Sequence, residues 1–155
     1  MHPDEFCPKI KNVLENCGIA LVFLPHLKGS FLQGATFTDG NKIVVGLTAR
    51  GKDTDRYWFS LFHELAHVIL GHIWNANGTT EQDETDADNW SENALIDPTD
   101  FDAFRRRGNF SESSVLAFAG EQEIAPGIVV RRMQREGMIK HSMLNHLKVQ
   151  YEITM

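Results

Sequence analysis

Between residues 5 and 16, apolar side chains recur at Phe6, Ile10, Val13 and Leu14, the spacing of one helical face, and Gly18 supplies a stop. Residues 19–24 are an unbroken apolar run suited to a buried strand. Residues 35–38 and 42–47 flank Asp39, Gly40 and Asn41 as the arms of a hairpin. Asp53, Thr54 and Asp55 then offer N-cap oxygens to a helix over 56–70, in which Phe59, Phe62, Ala66 and Ile69 share a side and Gly71 follows as a left-handed stop. Thr79 with Gln82 three residues on reads as a capping box opening a second long helix that runs to about Ile96 and ends before Pro98. Shorter helices are expected over 113–119, 128–136 and 143–149, set apart by Gly120, Pro126 and Gly137. A helix, then strands, then helices make an α+β chain. The small sheet is expected to be mostly antiparallel, and the portion from about residue 99 helical.

Composition narrows the class. The 155 residues suit one domain, 1–155, with one active site. Hydrophobic residues at 42% and charged residues at 23% match ordinary globular proteins, which excludes disordered and fibrous classes. A net charge of -6 from 15 basic and 21 acidic side chains argues against a surface built to hold phosphate backbones, so nucleic acid is not an expected partner. The apolar run at 19–24 is far shorter than the roughly 20 residues of a membrane span, and the N-terminus lacks the pattern of a secretory signal. A cytoplasmic protein is expected. Cys7 and Cys17 fit neither a zinc knuckle nor a disulfide framework and are read as reduced thiols.

The chemistry lies in the 56–70 helix. His63, Glu64, Leu65, Ala66 and His67 spell H-E-x-x-H, and at 3.6 residues per turn the two imidazoles project from one face to grip one metal ion. Glu64 points about 100° round the helix from His63, where it can reach a water without taking a coordination position. It is read as the general base. Catalytic zinc takes three protein ligands, so one must come from elsewhere. In the next helix Glu84 and Asp88 share a face one turn apart, while Asp86 points roughly 200° away from Glu84. We take Glu84 as the third ligand and Asp88 as the acceptor of a ligating histidine's free N–H. His72 is the rival ligand, but the metzincin pattern would need histidine at Ile73 and glycine at Leu70, so His72 is read as a helix-end histidine. The bland alternative is a pair of surface histidines on an ordinary core helix.

Other features point to packing. Tyr57, Trp58, Phe59 and Phe62 are expected under the sheet, and Arg105, Arg106 and Arg107 in a solvated loop. Residues 113–135 imitate a helix-turn-helix, and residues 128–148 carry five basic side chains against one acidic. Packing against the catalytic helices is favoured over DNA binding because the chain as a whole is acidic.

Taken together, these residues resemble the ImmA/IrrE family of metallopeptidases, including the form associated with HigA-like antitoxins. The resemblance is carried by residues 24–30, 34–37, 57–72 (Y-W-F-S-L-F-H-E-L-A-H-V-I-L-G-H), 84–96 and 126–134. The family's E-x-E-A-[ND]-x-F-A helix is matched by Glu84, Thr85, Asp86, Ala87, Asp88, Asn89, Trp90 and Ser91. Asp97 stands where a proline is frequent and Arg131 where a glycine is usual, and no segment matches the family's N-terminal helix-turn-helix domain. The resemblance implies a zincin-like fold and one Zn2+ per chain on His63, His67 and Glu84. It also implies a zinc-dependent endopeptidase acting on an intracellular repressor or antitoxin. The oxyanion of such a reaction needs an added donor, for which Arg132 and His141 are the candidates. The rival class is a non-catalytic, metal-braced regulatory domain that binds a protein partner or DNA.

Overall fold

The computed structural model describes residues 3–24, 34–48 and 54–149. Helix α1 (Pro3–Asn16) leads into strand β1 (Ile19–Leu24), the hairpin of β2 (Gly34–Asp39) and β3 (Lys42–Thr48), and helix α2 (Thr54–Ile69). Helices α3 (Glu81–Leu95), α4 (Pro98–Arg107), α5 (Glu112–Glu121) and α6 (Pro126–Arg135) follow. The architecture is α+β. The expected cap at Asp53 and residues 25–30 of the family resemblance lie outside the described residues. Among those described, no helix is long and apolar enough to cross a membrane.

The sheet is mixed, not mostly antiparallel. Its order is β1-β3-β2, with β3 antiparallel to β2 and parallel to β1. The two-residue turn at Gly40, which takes φ 59, forces β2 and β3 together as neighbours. The next strand after β1 therefore lies on the far edge of β3. That spatial order cannot be read from the order of strands along the chain. Central β3 buries Val45 and Leu47, and edge strand β2 runs past α2.

Two apolar clusters hold the elements. Phe6 and Leu14 of α1, Leu21, Val45 and Leu47 of the sheet, and Tyr57 and Leu61 of α2 form one. Ile96, Phe101, Phe104, Val115, Phe118, Val129, Val130 and Met133 form the other. Trp58 packs against both, so α2 is the shared element. Tyr57 and Trp58 pack against Phe6 in the cluster that includes the sheet. Phe59 instead lies under Arg131 and Phe62 against Trp90 of α3, away from the expected place under the sheet, and Ile69, expected on the apolar side of α2, is 60% exposed. The buried line runs through Tyr57, Leu61 and Ala66 because α2 is covered by the sheet on one side and by α3 and α6 on others.

Local chemistry explains the remaining differences. The capping box sits one residue later than expected, with Thr80 Oγ1 accepting from the Asp83 N–H and Asp83 accepting from the Thr80 N–H. Arg105, Arg106 and Arg107 are the last turn of α4 and not a loop: Asp97 caps the helix, Pro98 opens it, and cations are favoured at its C-terminus. The helix expected over 143–149 is only a single 3-10 turn, Asn145–Leu147, because Leu144 takes a left-handed φ of 58. Cys7 and Cys17 form no disulfide among the described residues.

Candidate metal centre

The H-E-x-x-H pair projects from the middle of α2 toward α3. His63 Nε2 and His67 Nε2 stand 3.1 Å apart. Glu84, in the first turn of α3, brings Oε2 to 3.2 Å from His63 Nε2 and Oε1 to 3.6 Å from His67 Nε2. A tetrahedral zinc ion with bonds of about 2.0–2.1 Å separates its ligand atoms by about 3.3 Å. The distance between the two histidine nitrogens and the distance from each to a Glu84 oxygen, Oε2 for His63 and Oε1 for His67, lie near that value, so the two imidazoles and the carboxylate group are close enough to share one ion. His67 is 6% exposed and Glu84 side chain 49%, which leaves the open side of the cluster facing solvent. Asp86 takes no part and accepts from the Gln82 side chain.

The third side of the arrangement fixes the tautomer of His63. Its Nδ1 lies 2.8 Å from Asp88 Oδ1, which only accepts, so when Nε2 gives its lone pair to a metal the ring proton sits on Nδ1 and is donated to Asp88. Burial alone would lower the His63 pKa. The hydrogen bond and charge of Asp88, with the charges of Glu64 and Glu84, outweigh burial and hold it above the ordinary imidazole value. Asp88 is itself tied to Arg135, whose guanidinium also reaches Glu92. His67 behaves in the opposite way: burial, then the neighbouring His63 charge, lower its pKa.

Glu64 is 7% exposed and is set by the edge strand. Thr36 of β2 donates its hydroxyl to Glu64 Oε2 at 2.5 Å. Burial pushes the Glu64 pKa above the usual carboxylate range, partly offset by that hydrogen bond and by His63. Beside it, Gly34 leaves no room for a side chain, since a Cβ there would stand 2.5 Å from Glu64 Oε1. Gly34 and Thr36 lie in the 34–37 segment that carries part of the resemblance, but that segment assigns neither a place beside Glu64. Each acquires its place only when β2 pairs with β3 and crosses α2.

These groups open into one cavity of about 720 Å³, lined by His63, Glu64, His67, Glu84 and Asp88 together with Thr36, Phe59, His72 and Arg131. Of the two expected oxyanion donors, neither lines it. Arg132 donates to the backbone carbonyls of Glu92 and Ile96 at the end of α3 and pairs with Glu136, while its guanidinium lies over the Phe101 ring. His141 is exposed, and its carbonyl accepts from Gln134 and Asn145. The arginine in the cavity is Arg131, one position earlier, stacked 4.3 Å over Phe59 and 3.8 Å from Asp55. Arg131, Arg132 and Arg135 of α6 all turn toward acidic groups of α2, α3 or the α6 end. The three arginines of the helix-turn-helix imitation are thus each paired within the chain.

Compared with known proteins, the chain matches no family model and no curated protein.

Proposed function

We propose that this chain is a zincin-type metallopeptidase, similar to the ImmA/IrrE family, holding one Zn2+ on His63, His67 and Glu84 and cleaving peptide bonds of a protein substrate. The observation that supports the reading is the convergence of two imidazole nitrogens and the Glu84 carboxylate, close enough to share one ion, beside the buried carboxylate of Glu64, which is not among them. A zinc ion bound there supplies Lewis acidity toward a carbonyl and lowers the pKa of water to about 7. Glu64 accepts the proton of the attacking water. Thr36 occupies Oε2, which directs that task to Oε1, and a pKa raised by burial lets the carboxyl return the proton to the departing amine. Arg131, stacked on Phe59 and 3.8 Å from Asp55, is the arginine that lines the cavity. A repressor or antitoxin is the substrate class that the family resemblance suggests.

The experiment compares zinc-loaded parent and Glu64→Gln on a mixture of quenched fluorogenic peptides. Glu64→Gln is expected to keep its zinc and lose hydrolysis, and unchanged turnover in that variant would sink the assignment of the base. The second reading, a metal-braced regulatory domain, draws on the same ligands tying α2 to α3. It predicts a stabilising metal and a parent that hydrolyses nothing.

A further inference from the structure

We infer that His72 and Asp83 form a positioning relay that holds the His67 imidazole in its metal-binding orientation. The inference rests on the metal reading of His63, His67 and Glu84. His67 Nδ1 lies 3.0 Å from His72 Nδ1, both side chains are buried, and His72 Nε2 lies 3.4 Å from Asp83 Oδ1. Two neutral imidazoles share a hydrogen bond only if one nitrogen carries the proton and the other does not. His67 Nε2 faces His63 and Glu84 and must be bare to bind metal, which puts the His67 proton on Nδ1. His72 Nδ1 is then the acceptor and the His72 proton sits on Nε2, which stands 3.4 Å from a carboxylate oxygen able only to accept. Each proton position forces the next.

The far end of the relay is anchored. Asp83 Oδ2 accepts from the Thr80 N–H at 2.8 Å and from Asn75 Nδ2 at 3.1 Å, so the residue that caps α3 also holds the turn after α2. Gly71, at φ 77, reverses the chain so that His72 returns to His67. Both ligating histidines are thus held at Nδ1 by carboxylates of α3, His63 directly by Asp88 and His67 through His72 by Asp83. One short stretch of helix supplies a ligand and both supports.

Zinc titration of the metal-free protein tests the relay. His72→Leu, which removes the acceptor, is expected to weaken zinc binding about 10 to 100-fold. His72→Asn, whose Oδ1 can stand in for Nδ1, should recover most of that loss. Asp83→Ala should weaken zinc more than Thr80→Ala, which strips a cap contact without touching His72. Long-range 1H–15N spectra of the zinc-loaded parent should show His72 protonated on Nε2 alone. Parent-like affinity in His72→Leu, equal weakness in His72→Asn, equal effects of Asp83→Ala and Thr80→Ala, or a proton on His72 Nδ1 would each overturn the relay while leaving zinc binding by the parent intact. A parent that takes up no zinc removes the metal reading and the relay together.

Discussion

Gly34 lies so close to Glu64 that a Cβ built on the glycine would meet Glu64 Oε1 at 2.5 Å. The edge strand and the Glu64 carboxylate are therefore fitted to each other. Gly34→Ala must displace the carboxylate, and a shift of about 1 Å at a reacting group costs on the order of 10²-fold in rate. Peptide hydrolysis should fall by that amount while zinc affinity changes little, because no ligand atom is moved. Steady-state kinetics beside a zinc titration separates the two, and full activity in Gly34→Ala would show that the position of Glu64 is unimportant.

Asp88 and Asp86 sit two residues apart on α3 with different duties. Asp88 holds His63 Nδ1, whereas Asp86 meets only the Gln82 side chain among its described contacts. Asp88→Asn should weaken zinc binding about 10 to 100-fold, and Asp86→Ala should leave it near the parent value. Calorimetric titration of both variants checks this. Equal, small effects would mark both as solvated acids of an exposed helix.

Zinc binding should also carry a pH signature. A ligating histidine must be neutral, and the His63 pKa is raised above about 6.5. Zinc affinity should therefore begin to fall, as pH is lowered, at a pH above that of an ordinary imidazole. The sign for the metal-free protein is opposite. A raised His63 pKa contributes stability that is present below about pH 6.5 and is lost as pH rises through the folded value. The lowered Asp88 pKa contributes stability present above about 3.9 and lost as pH falls through its folded value. Zinc affinity and urea stability measured from pH 5 to 9 should show the two trends, and Asp88→Asn should shift the zinc curve to lower pH.

Arg132 is a bracket for the α3 terminus. Its guanidinium donates to the carbonyls of Glu92, which also accepts from the Ile96 N–H, and of Ile96, so Arg132→Ala takes a donor from each and should destabilise the fold by about 1–2 kcal/mol. Zinc stoichiometry should stay unchanged. Urea unfolding reads the first and metal analysis the second; parent-like stability in the variant would contradict this role.

What could be read from the chain was set by local periodicity. H-E-x-x-H lies within a single helix, and Glu84, Asp86 and Asp88 lie within another. Helical geometry alone therefore separates the face that meets the histidines from the one that does not. Partners brought in by tertiary packing were illegible. Thr36 reaches Glu64 from 28 positions away across a strand pairing, and His72 reaches His67 only through the left-handed turn at Gly71. Arg131 and Arg132 are adjacent in sequence and on different sides of α6, and without the packing of α6 against α2 nothing distinguishes the cavity residue from the structural one. Helix α4 carried a legible start in Asp97 and Pro98, obscured by reading its three arginines as a loop.

Zinc titration of the metal-free parent beside His63→Ala, His67→Ala and Glu84→Ala tests the account most directly. The parent should bind one equivalent, and all three variants should lose that binding while still unfolding cooperatively in urea. A parent that binds no zinc, or a His67→Ala or Glu84→Ala variant that binds it with parent affinity, would contradict it.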